Sequence, residues 1–462
     1  MVKITSNELA AVCGGKLLHP SEEVCFTGVS TDSRTVKRGD VFFAIRGENY
    51  DGHTFIDGAF KGGACGAVVS SNGLEPRCRT ILLVEDTVTA LQQLAAWWRQ
   101  KFALPLVGIT GSSGKTTTKD ILSSLLGAVA NVHSSTGNQN NELGVPLTLL
   151  GLTENHQVCV LEMGMRGLGE IRELCAVAMP TAGIITNVGS THFERLGSLE
   201  NIALAKGELA ASLSADGFLM LNAENKWSSR ISSMTSARSV LFGFWEKAEI
   251  RASQVDFGVE GTEFTLTAFG GSQRLRMPLW GEHNVYNCLA AIGTYLFLGF
   301  PMEQLQEGLN NLSITEMRLE KTSGIKGTTI INDAYNANPS SMLASLEVLK
   351  QVAGKRRVAV LGDMLELGDI AEAEHRKVGE AAVLAQVDLL ITVGDLAAFI
   401  SEAALAVGME RGKVFYMANV EEAAELLQNS LCMGDVVLVK GSRGMKLERI
   451  VAALQAPVEG HV

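Results

Sequence analysis

One glycine-rich segment limits the possible folds more strongly than any other part of the sequence. It follows an apolar run at 104–109 and precedes a helical pattern that begins at Thr118. This order predicts a strand, a phosphate-binding loop and a helix, because backbone N–H groups at a helix N-terminus bind anions. Lys115 is expected to reach terminal phosphates and the Thr116 hydroxyl suits Mg²⁺, so the predicted ligand is a nucleoside triphosphate. The segment consists of Thr110, Gly111, Ser112, Ser113, Gly114, Lys115, Thr116 and Thr117.

One position departs from the strict phosphate-loop pattern. The pattern has a glycine where this chain has Ile109, and Gly108 lies one place too early. An ordinary glycine and serine turn is the alternative interpretation. The predicted strand and helix on either side favour nucleotide binding, and they leave the choice between ATP and GTP open.

Length and pattern predict an α/β chain of several domains. For 462 residues we expect about three domains of roughly 150 residues each. We predict a small α/β domain at 1–101, a central ATP-binding domain at 102–314 and a Rossmann-like domain at 315–462. The central domain is expected to hold a parallel sheet with an antiparallel insert at 239–280. Predicted strands lie at 41–45, 67–70, 81–84, 106–109, 158–161, 183–186, 218–221, 329–331, 358–361, 389–393, 414–416 and 436–439.

Composition and charge exclude several classes of protein. A net charge of −11 and the lack of a Lys/Arg run argue against nucleic-acid binding. No apolar stretch is long enough to cross a membrane and no secretory signal is visible, so we expect a cytoplasmic protein without membrane insertion. The spacing of the cysteines argues against a zinc site or a disulfide framework and indicates core thiols. These cysteines are Cys13, Cys25, Cys65, Cys78, Cys159, Cys175, Cys288 and Cys432.

Two predicted strands end in side chains that suit a metal site. Glu162 ends the strand at 158–161, and His192 follows the strand at 183–186. Ligands gather at the carboxyl ends of strands in open α/β sheets, which favours a metal role for both. Mg²⁺ prefers oxygen ligands, so an imidazole would be an unusual one. Taken singly, Glu162 fits a solvated acid equally well, and His192 fits a plain loop histidine.

Lys206 lies in an alanine-rich helical pattern without basic neighbours. A lysine in such surroundings is a candidate for burial. Reaction of its amine with CO₂ would require burial to lower its pKa from about 10.4, because the ammonium form predominates near neutral pH. A surface lysine is the simpler interpretation of the sequence alone.

Further candidate nucleotide contacts lie near the second predicted domain boundary. His283, Asn284 and Asn287 begin a helical pattern, and the two asparagines share one face, where an amide can contact a base. Helix capping by Asn284 is an alternative explanation. Arg318 suits a phosphate clamp and Asp333 a ribose acceptor.

These residues together resemble the Mur ligase family of cell-wall enzymes over essentially the whole chain. The segments 137–146, 333–340 and 361–368 resemble the branch that joins D-alanyl-D-alanine to UDP-N-acetylmuramoyl-tripeptide. The family's phosphate loop is atypical, which accounts for Ile109. One departure is Thr191, where this type of ligase usually has alanine. The matched set is the loop at 110–116 with Glu162, His192, Lys206, His283, Asn284, Asn287, Arg318 and Asp333.

The resemblance implies a metal and phosphate site. Lys115 would hold the β/γ-phosphates of ATP, and Thr116 with Glu162 would bind one Mg²⁺. His192 and a carbamylated Lys206, formed with CO₂, would bind a second. These four side chains, Lys115, Glu162, His192 and Lys206, are the implied catalytic residues.

The resemblance also implies the remaining nucleotide and substrate contacts. Asn284 and Asn287 would face adenine, Arg318 the phosphates and Asp333 the ribose. The first domain would bind the UDP sugar, and the third would bind the incoming dipeptide and part of ATP. We expect a monomer whose partners are these small molecules. The implied substrate contacts are Ser33, Arg34, Asn49, Asp51, His53, Asn138, Asn141, Tyr335, Asn336 and Asn338.

The implied reaction activates a carboxylate with ATP. Transfer of the γ-phosphoryl group gives an acyl phosphate, which the dipeptide amine then attacks. Two alternatives stay open: a related ligase that adds a single amino acid or glutamate to folate, and a phosphate-loop switch that uses ATP to move. The third residue of the peptide, meso-diaminopimelate or lysine, is not fixed by the sequence.

Overall fold

Apolar strands alternate with helices along the chain and assemble into sheets flanked by helices. The computed structural model describes residues 2–18, 23–47, 49–70 and 80–455. Within these ranges the strands form sheets of two, five, nine and six strands. The predicted α/β class is confirmed, and each of the three larger sheets lies within one predicted domain range. The domain boundaries themselves stay predictions.

The N-terminal part is built around the five-stranded sheet. Its elements are β1 (Ile4–Thr5), α1 (Ser6–Val12), β2 (Lys16–Leu18), β3 (Cys25–Phe26), β4 (Gly28–Ser30), β5 (Asp40–Phe43), α2 (Ile56–Gly62), β6 (Gly66–Val69), β7 (Thr80–Leu83) and α3 (Thr87–Arg99). Strands β4 to β7 pair in parallel, and β2 pairs antiparallel with β7. The strands predicted at 41–45, 67–70 and 81–84 are confirmed, each displaced slightly towards the N-terminus.

Helix α3 ties this part to the central sheet. The Trp98 Nε1–H group donates to Leu152 O at 3.1 Å. The buried Arg99 guanidinium donates to Ala178 O at 3.0 Å and to Leu104 O at 3.2 Å. Because these acceptors lie in the central part, the two parts share polar contacts as well as a continuous apolar core.

The nine-stranded sheet forms the centre of the molecule. Its first elements are β8 (Leu106–Thr110), α4 (Lys115–Gly127), β9 (Val132–Ser134), α5 (Gly144–Leu150), β10 (Val158–Glu162), α6 (Glu170–Ala178), β11 (Ala182–Ile185), α7 (Phe193–Leu196), α8 (Leu199–Ala211), β12 (Phe218–Asn222), α9 (Ser228–Ser232) and β13 (Arg238–Gly243). These strands are parallel, in the order β9, β10, β8, β11, β12, β13. The four strands predicted here are confirmed, and β8 carries the phosphate loop at the middle of the sheet.

The predicted antiparallel insert extends the same sheet. It comprises β14 (Ile250–Gly258), β15 (Gly261–Ala268) and β16 (Gly271–Met277), followed by α10 (Glu282–Phe297) and α11 (Leu305–Asn310). Strands β14 to β16 are antiparallel neighbours. The expectation for 239–280 was wrong at its start, because β13 pairs in parallel with β12 and thereby continues the parallel sheet.

The C-terminal part is built around the six-stranded sheet. Its elements are β17 (Glu320–Ser323), β18 (Thr329–Asp333), α12 (Pro339–Gln351), β19 (Arg356–Gly362), α13 (Ala371–Leu384), β20 (Leu389–Val393), α14 (Ala398–Ala406), β21 (Val414–Met417), α15 (Val420–Ser430), β22 (Asp435–Lys440) and α16 (Glu448–Leu454). The order is β17, β18, β22, β19, β20, β21, with only β17 antiparallel. The five predicted strands are confirmed, and β17 is an addition.

The segment that enters the C-terminal part is anchored to the helix behind the phosphate loop. Thr315 N donates to Asp120 Oδ2 at 2.9 Å. Asp120 Oδ1 also pairs with Lys119 Nζ at 2.8 Å, and Lys119 Nζ donates to Ser135 O at 3.0 Å. The start of the third part is therefore fixed against α4.

Two other sequence expectations can be compared with the described residues. Cys13, Cys159, Cys175 and Cys288 are buried, Cys65 is half-buried, and Cys25 and Cys432 are exposed, so the prediction of core thiols was wrong for Cys25 and Cys432. Cys78 lies outside the described residues. Across the described ranges, no helix has both the length and the apolar character needed to cross a membrane.

Candidate active site

The phosphate loop joins the end of β8 to the start of α4. Among the described residues, no side chain caps the first turn of α4, which begins after Gly114. The backbone N–H groups of that turn therefore face an anion site. The loop is held from the side: Ser113 N donates to Asn187 Oδ1 at 3.0 Å, and Ser112 N donates to Asn187 O at 3.1 Å.

Two glycines allow the loop to pack closely against its neighbours. Gly114 has a φ of 80°, and a Cβ there would lie 2.3 Å from Asn287 Oδ1 in α10. A Cβ on Gly111 would lie 1.8 Å from Thr186 Oγ1, just after β11. Both positions exclude a side chain, so the loop is fixed between these two elements.

Lys115 occupies the first turn of α4. Its Nζ donates to Gly111 O at 2.7 Å, which folds the side chain back over the loop. Burial lowers the pKa of Lys115, whereas the nearby charge of Glu162 opposes that shift. The ammonium group thus lies beside the anion site, where a terminal phosphate would bind.

Thr116 and Glu162 form an oxygen-rich corner next to Lys115. The Thr116 hydroxyl donates to Glu162 Oε2 at 2.8 Å, and Asn140 Nδ2 donates to Glu162 Oε1 at 2.8 Å. Glu162 is 4% exposed, so the alternative of a solvated strand-end acid was wrong. A hydroxyl and a carboxylate in contact are ligands that suit Mg²⁺.

Lys206 is buried in α8 and lines the same cavity. Its exposure is 1%, so the interpretation as a surface lysine was wrong. Burial lowers its pKa well below the usual range, and the positive charge of Lys115 lowers that pKa further. Within the described residues its Nζ has no hydrogen-bond or ion-pair partner. A neutral amine facing a polar cavity can react with CO₂ and become an oxygen ligand.

His192 precedes α7 and contacts the C-terminal part of the chain. Its φ is 61°, an uncommon conformation for a residue with a side chain. The Nδ1 atom lies 2.5 Å from Glu366 Oε2, and this hydrogen bond lowers the pKa of Glu366. His192 also lines the cavity.

The two predicted adenine contacts are joined to each other in α10. Asn287 Nδ2 donates to Asn284 Oδ1 at 3.1 Å, and Asn284 Nδ2 donates to Trp280 O at 2.9 Å. The alternative that Asn284 caps the helix was wrong, because the N-cap of α10 is Gly281. Burial lowers the pKa of His283 to about 4, so this imidazole is neutral at neutral pH.

Arg318 reaches from the C-terminal part to the phosphate loop. Its Nη2 donates to Thr116 Oγ1 at 3.2 Å. The guanidinium carbon lies 4.0 Å from the centre of the Tyr335 ring. Tyr335 was implied as a substrate contact. In the structure, its ring lies against the Arg318 guanidinium.

Asp333, the predicted ribose acceptor, already has partners within the protein. Its Oδ2 accepts from Lys440 Nζ at 2.5 Å and from Ser345 Oγ at 2.7 Å. Its Oδ1 accepts from Leu319 N at 3.2 Å. Lys440 is buried at the end of β22, and sequence reasoning missed it.

Most of the predicted site residues line one cavity of about 640 Å³. It lies between the central and C-terminal sheets and receives residues from both. Asn140 and Lys440 also line the cavity but were not predicted. Lys440 ends a strand, which is the signal that identified Glu162, and Asn140 directly precedes the predicted Asn141. The predicted residues that line the cavity are Ser112, Ser113, Gly114, Lys115, Thr116, Thr117, Asn138, Asn141, Glu162, His192, Lys206, His283, Asn284, Asn287, Arg318, Asp333, Tyr335, Asn336 and Asn338.

Several lining asparagines also stabilise local structure. Asn338 Oδ1 caps α12 by accepting from Ser341 N at 2.9 Å. Asn141 Oδ1 accepts from Gly144 N at 3.0 Å at the start of α5. Asn336 Oδ1 accepts from Ala337 N at 2.9 Å. These contacts fix the orientation of the amides that line the cavity.

The remaining predicted residues lie outside this cavity. Thr110 is fully buried in β8, and Gly111 precedes the lining part of the loop. The implied UDP-sugar contacts lie in the N-terminal part of the chain and are not among the lining residues. They are Ser33, Arg34, Asn49, Asp51 and His53.

Three of these N-terminal residues, Arg34, Asp51 and His53, have polar partners close to them in the sequence. Arg34 Nη2 pairs with Asp32 Oδ2 at 2.7 Å, and this guanidinium lowers the pKa of Asp32 to about 2. Asp51 Oδ1 accepts from His53 N at 3.0 Å and lies 2.6 Å from His53 Nδ1. These contacts lower the pKa of Asp51 to about 2. Arg46 pairs with the other Asp51 oxygen at 2.9 Å.

Comparison with known proteins gives this arrangement a family. Residues 26–99 match the model described as "Mur ligase family, catalytic domain", residues 109–295 the Mur ligase middle domain, and residues 317–443 the Mur ligase glutamate ligase domain. The UDP-N-acetylmuramoyl-tripeptide–D-alanyl-D-alanine ligase of Bacillus subtilis strain 168 is 38% identical over 458 residues, which cover 98% of this chain and 99% of that protein. The chain belongs to the Mur ligase family.

Solved structures of Mur ligases share the whole fold. A crystal structure of MurF from Acinetobacter baumannii superposes with a TM-score of 0.89 at 31% identity and covers 98% of both chains. A MurF ligase from Thermotoga maritima in complex with ADP has a TM-score of 0.81 at 30% identity, covering 92% of this chain and 96% of that one. The three-part architecture of this Mur ligase is thus that of known family members.

Proposed function

We propose that this chain is an ATP-dependent ligase that joins D-alanyl-D-alanine to UDP-N-acetylmuramoyl-tripeptide. The products are UDP-N-acetylmuramoyl-pentapeptide, ADP and phosphate, so the enzyme supplies a precursor of peptidoglycan. Relatives named as UDP-N-acetylmuramoyl-tripeptide–D-alanyl-D-alanine ligases are similar to this chain over almost its full length. A cytoplasmic location and a monomeric state stay predictions.

The observation that carries the proposal is the convergence of two basic side chains, a buried carboxylate and a buried lysine in one cavity. Lys115 begins α4, Glu162 ends β10 of the central sheet, and Arg318 enters from the C-terminal part. A carboxylate is a poor acyl donor, and its approach to ATP is opposed by charge repulsion. Fixed cations beside the anion site offset that repulsion, as phosphoryl transfer requires.

The residues present suggest how the chain would carry out the two steps. The free N–H groups of α4 and the Lys115 ammonium would hold the terminal phosphates while the tripeptide carboxylate attacks the γ-phosphorus and ADP leaves. The dipeptide amine would then attack the carbonyl carbon of the acyl phosphate, and phosphate would leave from the tetrahedral intermediate. Arg318, held on the Tyr335 ring, would keep its charge at the phosphates throughout.

The donor set also fits the expected metal ions. We propose that Thr116 and Glu162 hold one Mg²⁺ and that His192 and a carbamate on Lys206 hold a second. Mg²⁺, when bound, neutralises charge on the transferring phosphoryl group. The unprotonated Lys206 amine would form a bond to the carbon of CO₂ and release a proton, which gives an anionic oxygen ligand in place of the amine.

The other parts of the chain would divide the substrates between them. We propose that the domain at 1–101 binds the UDP sugar and that the domain at 315–462 binds the dipeptide and part of ATP, with the central domain at 102–314 between them. Asn284 and Asn287 would face adenine. Asp333 would contact the ribose only if its contacts with Lys440 and Ser345 rearrange.

A coupled assay tests the proposed reaction directly. ADP release by the purified enzyme should require both UDP-N-acetylmuramoyl-tripeptide and D-alanyl-D-alanine, and mass spectrometry should show the pentapeptide product. D-Alanine or glutamate in place of the dipeptide should give no product. ADP release that needs neither substrate would indicate a nucleotide switch, and product from a single amino acid would indicate a different ligase.

The carbamate has its own test. Removing CO₂ and bicarbonate should lower the rate, and adding them back should restore it. Lys206→Ala should lose most activity and regain part of it with a short carboxylic acid, whereas Lys206→Arg should not be rescued. A ¹³C carbamate signal from labelled CO₂ that persists in Lys206→Ala would place the modification elsewhere.

A further inference from the structure

The central and C-terminal parts meet at a paired backbone and side-chain contact beside the cavity. Glu366 lies in the loop after β19, and its carboxylate faces His192 Nδ1 at 2.5 Å. Its carbonyl oxygen accepts from Glu194 N at 3.3 Å. Both His192 and Glu366 have left-handed backbones, with φ values of 61° and 63°. Such conformations persist only where the surroundings hold them.

The same loop approaches α7 closely. Gly368 has a φ of 54°, and a Cβ there would lie 3.3 Å from the Glu194 Cα. A side chain at this place would be strained and would crowd Glu194, so glycine favours close packing of the loop against α7. The backbone packing places Glu366 beside His192, and the side-chain hydrogen bond adds a second contact at the same place.

For the neutral form of the His192 ring, this contact selects the nitrogen that carries the proton. An ionised carboxylate only accepts hydrogen bonds, so the neutral ring must donate from Nδ1. The Nε2 atom is then the unprotonated nitrogen with a free electron pair. Histidines that bind metals are commonly held in this way by a carboxylate on the other nitrogen.

We infer that Glu366 is a positioning residue, supplied by the C-terminal part of the chain, that holds His192 as the Nδ1–H tautomer beside the cavity. This inference rests on the proposed function, which makes His192 a metal ligand. The hydrogen bond and the tautomer can nevertheless be measured without ligation. The imidazole is thus prepared for a metal ion only while the C-terminal loop contacts α7. Metal binding and contact between the two parts are coupled.

Nitrogen NMR of the metal-free enzyme tests the tautomer. With ¹⁵N-labelled histidine at about pH 8, above the usual histidine pKa of about 6.5, His192 should show one protonated Nδ1 and one unprotonated Nε2. His192→Asn assigns the signal by its loss. Glu366→Ala should give averaged tautomers, whereas Glu366→Gln, which keeps a carbonyl acceptor, should preserve the Nδ1–H form. An unchanged tautomer in Glu366→Ala would overturn the inference.

Metal affinity provides the second measurement. Mn²⁺ binding with a non-hydrolysable ATP analogue, followed by water-proton relaxation, should weaken by about 10- to 100-fold in Glu366→Ala. The loss should be smaller in Glu366→Gln and absent in the matched control Glu402→Gln, which alters an exposed glutamate paired with Arg376. In a His192→Asn background, Glu366→Ala should cause no further loss.

Two results would contradict the positioning role. Equal losses from Glu366→Ala with and without His192 would show that Glu366 acts on the metal by another route. A raised KM for the dipeptide with unchanged Mn²⁺ affinity would make Glu366 a substrate contact. Absence of ligation with the predicted tautomer and coupling intact would instead refute the proposed function and leave this inference standing.

Discussion

The phosphate loop was identified from its own sequence pattern, and the N-terminal candidate segments were identified from the family resemblance. In the structure, the polar groups of the two regions have different partners. In the loop, the first turn of α4 leaves its N–H groups facing a cavity, and two close-packed glycines keep it there. In the N-terminal segments, Asp51 bonds to His53 and Arg46, and Arg34 bonds to Asp32. A motif that works through backbone geometry keeps its binding groups available, whereas polar side chains that are close in the sequence can pair with one another.

The largest expected effect tests the loop side of this comparison. Lys115→Ala should reduce ligation by about a hundredfold or more, because the loss of one fixed charge at a developing anion costs roughly 3 kcal/mol. Burial already disfavours the ammonium form, so the folded state should survive. Measured kcat and the thermal unfolding midpoint separate the two effects. Lys350→Ala, an exposed lysine in α12, is the control, and turnover of Lys115→Ala within a few-fold of wild type would remove Lys115 from the mechanism.

A smaller effect is expected where the C-terminal part meets the loop. Tyr335→Leu removes the ring under Arg318, and stacking of this kind contributes about 0.5–2 kcal/mol, so the KM for ATP should rise roughly 2- to 30-fold. Tyr335→Phe keeps the ring and should behave like wild type. A raised KM for the dipeptide in Tyr335→Phe, with ATP unaffected, would support the original prediction of a substrate contact through the hydroxyl.

His283, which lines the cavity, should make the stability of the folded protein depend on pH. Its pKa is about 4 in the folded protein and about 6.5 when unfolded. The unfolded chain therefore binds more protons between these values, and stability should fall as the pH falls from about 6.5 towards about 4. His283→Gln should flatten this part of the stability curve in denaturant titrations. An equally steep fall in the variant would assign the pH dependence to other groups.

The smallest expected effect tests the N-terminal side. The pKa of Asp51 is lowered to about 2, so its contribution to stability is present above about pH 4 and is lost as the pH falls towards 2. Asp51→Asn should lower the unfolding midpoint slightly near neutral pH and leave kcat unchanged. A large rise in the KM for the UDP substrate without a change in stability would show that Asp51 binds the ligand rather than its own loop.

Sequence reasoning succeeded where a short segment determines its own structure. The strand, loop and helix around Gly114 depend on glycine conformation and apolar runs, and all were predicted. It failed where partners are distant in the chain. Lys440 contacts Asp333 across neighbouring parallel strands, and Glu366 meets His192 between two parts of the molecule. Neither pairing leaves a local pattern, because the partners are brought together only by the fold.

The hydrogen bond from Thr315 to Asp120 attaches the start of the C-terminal part to the helix behind the phosphate loop. Arg318 follows this attachment by three residues and donates to Thr116 in the same helix. Glu366 meets His192 at a separate place, between the loop after β19 and the turn before α7. The phosphate contact and the histidine contact of the C-terminal part are therefore held by different attachments, so a variant that breaks one should leave the other in place.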